Sequence, residues 1–147
     1  ISLMPGSSWS YIGKASREIS NFAATMQLGW ITSDMADDEI KRVVLHEFGH
    51  ALGLEHEHSH PLLEIPWDRE AVYKYYAEQG WSPSYIEYNV LRKLEPNGLT
   101  YTEPDLESIM MYPIPRELLT DPSYEVGWNM DLSAKDKEFL AKLYPKK

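Results

Sequence analysis

Histidine is distributed unevenly along this chain of 147 residues. All five histidines lie between positions 46 and 60, and three of them follow the spacing His-Glu-x-x-His-x-x-Gly-x-x-His. Because His46 and His50 are four residues apart, an α-helix places both imidazoles on one face, where they can bind the same ion. Zinc takes neutral imidazole nitrogens, and an open zinc site uses three protein ligands and one water molecule. The spacing therefore predicts a helix that carries two ligands of a single Zn²⁺ ion.

A third ligand has to come from beyond that helix. Gly53 allows a sharp turn of the backbone, and the reach of three residues that follows favours His56, with His58 and His60 as the alternatives. Glu47 lies next to the first ligand and can take a proton from a water molecule without binding the metal itself. The expected set is three histidine ligands for one zinc ion, together with one catalytic carboxylate.

The charge and composition of the chain narrow the classes of partner. There are 14 basic and 23 acidic residues and a net charge of −9, whereas a nucleic-acid binder needs a basic stripe and an anionic membrane attracts basic segments. The longest unbroken apolar run has four residues, Ile109 to Tyr112, against the ~20 of a membrane-spanning helix. The absence of cysteine excludes disulfides and thiolate ligands. We therefore expect neither nucleic-acid binding nor membrane insertion, and the oligomeric state is undetermined.

Hydrophobic periodicity and helix-end residues predict four helices. The first carries the histidines: the acidic residues at 37–39 suit its first turn, and Gly53 suits its carboxyl-terminal end. Its apolar residues, Phe48 and Leu52 among them, fall on one arc with the two histidines nearly opposite, which predicts separate packing and polar faces. The first helix is expected over 37–52, and the second over 69–79 with Asp68 as its cap. The third is expected to begin at Ser82-Pro83, with Ile86, Val90 and Leu94 in line on one face. The fourth is expected to begin at Ser133, with Phe139, Leu140, Leu143 and Tyr144 turned inward.

Two short strands are also expected. The first is Ile1–Met4, which Pro5-Gly6 would end. The second is Ala23–Leu28, in which Ala24, Met26 and Leu28 fall on one face and Thr25 and Gln27 on the other, as in a strand with one buried face. Because the expected helices all follow these strands along the chain, the pattern indicates an α+β fold with a small sheet.

The residues at 46–56 resemble the extended zinc motif of the metzincin clan of zinc endopeptidases at every fixed position. Downstream, Ser108-Ile-Met-Met-Tyr112 is similar to the Met-turn of the astacin family, a tight turn beneath the metal. This resemblance implies that Met110 is the turn methionine. It also implies that Tyr112 is an additional zinc ligand or a group that stabilises the oxyanion. Glu57, directly after the third histidine, fits the astacin pattern as well.

Other features are similar to matrixins or depart from astacins. A Met-Tyr-Pro register at 111–113 would make Met111 the turn residue instead, and the closing pattern Leu132-Ser…Asp136…Leu143-Tyr144 is matrixin-like. Astacins ordinarily carry disulfides and build an amino-terminal lobe before the zinc helix, yet only 45 residues precede His46. Either that lobe is reduced or the chain begins partway into the domain.

The resemblance implies a fold and a function. The fold is one metzincin-like catalytic domain over 1–147, in which a small twisted sheet and the active-site helix lie above a cleft. A mostly helical or irregular lower part with a C-terminal helix lies below it. The function is that of a secreted zinc endopeptidase acting on proteins or peptides, with Glu47 as general base and acid and Tyr112 assisting. A substrate would pair with an edge strand, for which Ala23–Leu28 is the candidate, and residues 113–128 would line a side-chain pocket.

Two other functions remain as alternatives. A zinc-containing module that binds proteins without cleaving them would be expected to carry a damaged catalytic carboxylate, and Glu47 is intact. A purely structural zinc domain would need a fourth protein ligand, for which His58 or His60 is in reach. A protease of the gluzincin type is less consistent with the sequence, because His56 already supplies the third ligand.

Overall fold

The computed structural model describes residues 1–146, and it confirms the α+β class. Within that range, no helix combines the length and the apolar character that crossing a bilayer requires. The strands are β1 (Ser8–Ser10) and β2 (Met26–Leu28), and the α-helices are α1 (Asp37–Ala51), α2 (Arg69–Ala77), α3 (Pro83–Ile86) and α4 (Ala134–Leu143). A π-helical turn covers Glu87–Leu91, and 3₁₀ turns cover Gly13–Glu18, Glu57–Ser59, Arg116–Leu118 and Pro122–Tyr124.

The described chain divides into two compact units. The first unit contains residues 1–55, 107–110 and 129–146, and therefore the two strands, α1 and α4. The second unit contains residues 56–106 and 111–128, and therefore α2, α3 and the π-helical turn. Each unit buries apolar clusters of its own.

The sheet of the first unit consists of β1 and β2, which run antiparallel with Trp9 opposite Gln27. On the other side of β2, Ser2 forms a single parallel bridge to Gln27. The strand expected over Ile1–Met4 is therefore reduced to one bridge. Because β2 has a neighbour on each side, the interpretation of Ala23–Leu28 as a free edge for substrate is wrong.

The burial of β2 follows the predicted alternation over a shorter range. Met26 and Leu28 are buried, whereas Gln27 between them is only half-buried. The two buried side chains pack against Val43 of α1, with Val44 and Ala51 at the margin of the same cluster. This cluster attaches the sheet to one side of the histidine-bearing helix.

Helix α1 has the ends that its sequence predicts. It begins at Asp37, with three acidic residues in its first turn, and it ends at Ala51 with Leu52 as cap. Gly53 follows with φ +101°, a left-handed conformation that a glycine adopts without steric cost. The amide of Leu54 then donates to the carbonyl of Gly49 at 2.9 Å, which closes the helix end.

The predicted packing face of α1 is wrong in part. Phe48 and Leu52 are 42% and 38% exposed, whereas His50 on the expected polar face is 6% exposed. A helix that packed on one core would bury its apolar arc, but α1 is covered from two directions by two different clusters. The second of these clusters contains Leu45, Leu54, Ile109, Met110, Leu132, Phe139 and Leu140.

Helix α4 belongs to the first unit and begins with the predicted capping box. The Ser133 hydroxyl accepts from the Asp136 amide, and the Asp136 carboxylate accepts from the Ser133 amide. Phe139 and Leu140 face the second cluster on α1, as expected, but Leu143 and Tyr144 are 39% and 55% exposed and do not. The Tyr144 hydroxyl instead donates to the carbonyl of Leu52.

In the second unit, α2 begins after the predicted cap, where the Asp68 carboxylate accepts from the Ala71 amide. The next helix is shorter than expected, because α3 passes into a π-helical turn that ends at Leu91 rather than near Leu94. The Arg92 amide donates to the Glu87 carbonyl, the five-residue step that defines this turn. One core of the unit is formed by Val72, Ile86, Val90 and Leu118.

Candidate metal centre

Three of the five histidines converge. His46 and His50 are one turn apart on α1, and His56 follows three residues after the Gly53 turn. One ring nitrogen of each lies within 4.8 Å of the corresponding nitrogens of the other two. This is the donor set of an open zinc site: three imidazole nitrogens and no further protein ligand in the group. The residues brought together are those that the spacing predicts.

Backbone carbonyls hold the first two rings in one tautomer. His46 Nδ1 lies 2.9 Å from the carbonyl oxygen of Ile109, and His50 Nδ1 lies 2.9 Å from that of Leu54. A carbonyl oxygen only accepts, so each Nδ1 carries the hydrogen and donates it, which leaves the Nε2 lone pair for a metal. Burial also lowers the pKa of His50, which keeps its ring neutral and able to bind a cation. The two rings therefore fit a zinc ion.

The carbonyl that supports His46 is itself anchored. The amide of Ile109 donates to Asp136 Oδ2 at 2.8 Å, and the Ser108 hydroxyl donates to Asp136 Oδ1 at 2.7 Å. The Ser108 hydroxyl also accepts from the amide of Met110 at 3.0 Å. Asp136 is 7% exposed and lies in the first turn of α4. A buried carboxylate thus fixes the peptide that orients His46.

Met110 lies against the backbone of the histidine helix. A Cβ on Gly49 would come within 2.4 Å of Met110 Sδ, so that position requires a glycine for the methionine to approach. Met111 lies instead in a core of the second unit, with Leu63 and Ile114. Met110 is therefore the one of these two methionines that lies against Gly49 of the histidine helix.

Glu47 is the buried carboxylate of the site. It is 3% exposed, and its Oε2 makes no hydrogen bond to any residue in the described range 1–146. Burial disfavours the charged form and raises the pKa of Glu47 to about 7. A carboxylate with a pKa near neutrality can both accept and return a proton.

Tyr112 lies beside the third histidine. Its ring centroid is 4.3 Å from that of His56, with an angle of 48° between the two planes. The same tyrosine stacks on His58, with centroids 4.7 Å apart and planes at 21°. Tyr112 therefore contacts one member of the histidine group.

His58 and His60 are engaged elsewhere. His58 Nε2 lies 2.9 Å from the carbonyl oxygen of Asn89, and His60 Nε2 lies 2.9 Å from that of Thr102. Neither belongs to the group of converging nitrogens found in the described part of the chain. Burial lowers the pKa of His58 to about 4, so its ring is neutral at neutral pH. The fourth ligand that a structural zinc domain needs is not supplied by these two residues.

Sequence reasoning missed the groups that support the ligands. The carbonyls of Ile109 and Leu54 have no residue-type signature, because every residue carries one. Asp136 was expected only as part of a helix cap and of a matrixin-like pattern. The sequence contains both partners, a capping aspartate and the serine that opens the predicted Met-turn, but it does not show that they form a hydrogen bond.

Comparison with known proteins agrees with the site geometry. The sequence matches no protein-family model and no curated protein. Two solved structures of myroilysin match it at 41% identity over 98% of this chain. The TM-scores are 0.93 and 0.66, and the matched regions cover 71% and 64% of the respective myroilysin chains.

The α+β fold, the three converging histidines and these matches support the class of zinc metalloproteases. Within that class, the chain belongs to the family of myroilysin, a metalloprotease.

Proposed function

We propose that this protein is a zinc-dependent endopeptidase that hydrolyses peptide bonds in proteins, with His46, His50 and His56 as the zinc ligands. The observation that carries the proposal is the convergence of one nitrogen from each of these three side chains. Membership of a metalloprotease family supports the same function. The zinc ion, when bound, would polarise the scissile carbonyl and lower the pKa of a water molecule to about 7.

Glu47 is the proposed general base and acid. Its Oε2 has no hydrogen bond to the described residues, so it is available to accept a proton from the attacking water. The carboxyl group then returns that proton to the nitrogen of the leaving amine. The pKa of about 7 that burial gives this group suits both directions of transfer.

Tyr112 is the proposed second catalytic residue. Its contact with the His56 ring supports a role at the same centre, either as a hydrogen-bond donor to the oxyanion or as an additional zinc ligand. A single well-placed donor to the oxyanion is worth about 3 kcal/mol of transition-state stabilisation.

We also propose that the enzyme is astacin-like within the metzincin clan, a single catalytic domain, and secreted. The packing of Met110 on Gly49 supports the astacin-type turn register over the alternative at Met111. Protein or peptide substrates follow from the proposed reaction. Recovery of chelator-sensitive proteolysis from the culture medium of the source organism, rather than from its cells, tests the proposed location.

The function is tested by metal removal on the intact chain. Metal analysis is expected to find one zinc per chain, and digestion of a peptide library is expected to stop with a zinc chelator and resume when Zn²⁺ is restored. Restoration with Mg²⁺ is the control and is expected to fail, because that ion prefers oxygen ligands. Stoichiometric zinc without any cleavage would instead identify a zinc-containing protein-binding module.

A further inference from the structure

His58 is a buried histidine that the proposed reaction does not use. It is 3% exposed and lies in the 3₁₀ turn Glu57–Ser59. Its Nε2 donates to the carbonyl of Asn89, but its Nδ1 makes no hydrogen bond to any described residue. An unsatisfied buried nitrogen costs free energy, so packing alone would be served better by an apolar side chain of similar size. The ring therefore calls for an explanation beyond core filling.

The neighbours of His58 supply that explanation. Its ring stacks on Tyr112 at a centroid distance of 4.7 Å, with planes at 21°. It also stacks on His56 at 5.3 Å, with planes at 28°. The ring centroids of Tyr112 and His56 are in turn 4.3 Å apart. Three rings thus form one cluster, in which a proposed zinc ligand and a proposed catalytic residue both lie against His58.

A hydrogen bond to a residue outside the three-ring cluster restrains His58. Asn89, the acceptor for His58, lies within the π-helical turn Glu87–Leu91. A second hydrogen bond runs from the amide of Leu94, three residues after that turn, to the carbonyl of Ser59 at 2.8 Å. The first of these bonds restrains the His58 ring, and the second fixes the main chain of the 3₁₀ turn that carries it. π-Helical turns are frequent near functional sites in proteins.

His60 provides a contrast within the same segment. It is also buried, at 7% exposure, and its Nε2 also donates to a carbonyl, that of Thr102. However, its Nδ1 accepts from the amide of Leu62, so both ring nitrogens are satisfied. Its ring contact is with Tyr101, which is not part of the three-ring cluster. His60 therefore has the features of a structural histidine, and it serves as a matched control.

We propose that His58 is a positioning residue that fixes the ring planes of Tyr112 and His56. This inference rests on the proposed function for its catalytic consequence, although the positioning itself is a property of the chain alone. A side chain already held in its working orientation loses less freedom when the transition state forms. Removal of groups that orient metal ligands typically costs about 10- to 100-fold in metal affinity or activity.

The first test is made on protein stripped of metal. Tyrosine rings are labelled with ¹³C, and the Tyr112 signal is assigned by its loss in Tyr112→Phe. His58→Leu, which removes the ring and its hydrogen bond, is expected to shift the Tyr112 signal, because the stacked ring current disappears. His58→Phe keeps an aromatic ring in place, so the Tyr112 signal of this variant is expected to stay close to that of the parent. His60→Leu is expected to leave the Tyr112 signal unchanged.

The second test measures zinc affinity and kinetics. His58→Leu is expected to weaken zinc binding about 10-fold in competition with a chromophoric chelator. It is also expected to lower kcat about 10- to 100-fold while KM changes less than about 3-fold. In the Tyr112→Phe background the effect on kcat should shrink, because the two residues act as a unit. His60→Leu is expected to keep zinc affinity and kcat within about 2-fold of the parent.

Two outcomes would overturn the proposal. In the first, His58→Leu and His60→Leu lower thermal stability alike while the Tyr112 signal, zinc affinity and kcat stay at the parent values. In the second, the kcat effects of His58→Leu and Tyr112→Phe are fully additive. Failure of the proposed function can be told apart from failure of this proposal. If the parent protein cleaves no peptide, the Tyr112 signal and the zinc affinity of the variants can still be measured.

Discussion

In the first unit, His46 and His50 each direct Nδ1 to a backbone carbonyl, whereas in the second unit His56 packs its ring against Tyr112 and His58. A carbonyl contact fixes both the tautomer and the direction of the remaining lone pair. A ring contact fixes the plane of the ring and depends on which side chains are present. Main-chain carbonyls thus hold the first pair of ligands, and the third ligand lies against two aromatic side chains.

This difference determines how each region should respond to substitution. In the first unit, a change affects the ligands only if it moves the main chain that carries the supporting carbonyls. In the second unit, a change of one aromatic side chain alters a contact of His56 directly. Two kinds of substitution therefore test the difference between the two units most directly. One removes the catalytic carboxylate and leaves the zinc ligands in place, and the other shifts the peptides whose carbonyls support the ligands.

The largest effect is expected from Glu47→Gln. The amide cannot act as a base, so peptide cleavage should fall by about 10²- to 10⁴-fold. Because neither way of holding the histidines involves this carboxylate, zinc content should stay at one ion per chain. Steady-state kinetics on a peptide substrate and metal analysis of the same sample measure both quantities.

Glu57→Gln is the matched control for this substitution. The Glu57 carboxylate accepts from the amide of Asp105, and a glutamine retains an oxygen for that hydrogen bond. Its cleavage rate should stay within about 3-fold of the parent. Persistent cleavage in Glu47→Gln would show that another group moves the proton.

The next largest effect is expected from Asp136→Ala, which removes the support of the first unit. The amides of Ile109 and Ser133 and the Ser108 hydroxyl would lose their acceptor. We expect zinc binding to weaken about 10-fold and the free energy of unfolding to fall by about 3 kcal/mol. Chelator competition and denaturant unfolding measure the two effects.

Asp131→Ala is the control for Asp136→Ala. Asp131 is exposed and pairs with Lys41 at the surface, where an ion pair contributes less than about 1 kcal/mol. Its zinc affinity should equal that of the parent. If Asp136→Ala kept the parental zinc affinity despite its lower stability, the main-chain support assigned to His46 would be contradicted.

A smaller effect is expected from Gly49→Ala. The added methyl group would lie 2.4 Å from Met110 Sδ, and overpacking of this kind costs about 1–3 kcal/mol. Gly127→Ala is the control, since a Cβ at that position meets nothing within 4 Å. In the Met110→Ala background, Gly49→Ala should lower the stability by less than it does in the parent, because the methionine sulfur is no longer there to be displaced. Strictly additive losses in thermal unfolding would argue against the contact.

The histidine helix was predictable because its signals are local. Its acidic first turn, its histidine spacing and the glycine after its end are all read within 17 residues, 37–53, and the structure has each of them. The convergence of His56 with the other two follows from a single turn at Gly53. Local geometry was sufficient to identify all the members of the group.

The supports of the site were not predictable because they come from far along the sequence. The carbonyl of Ile109 reaches His46 across 63 positions, and Asp136 reaches Ile109 across 27. The edge-strand interpretation failed for the same reason, since the neighbour of β2 on its second side is a single residue, Ser2. Pairings of this kind depend on the assembled fold, whereas periodicity reports only one element at a time.

The smallest effects concern the face of α1 that periodicity assigned wrongly. Val43 is 2% exposed and packs on β2, whereas Phe48 is 42% exposed. Val43→Ala should therefore cost about 2 kcal/mol in denaturant unfolding, and Phe48→Ala at most about 1 kcal/mol. A helix buried along its apolar arc would give the opposite order, because phenylalanine removes more apolar surface than valine. The order of these two values thus decides whether α1 is packed on the side that carries its histidines.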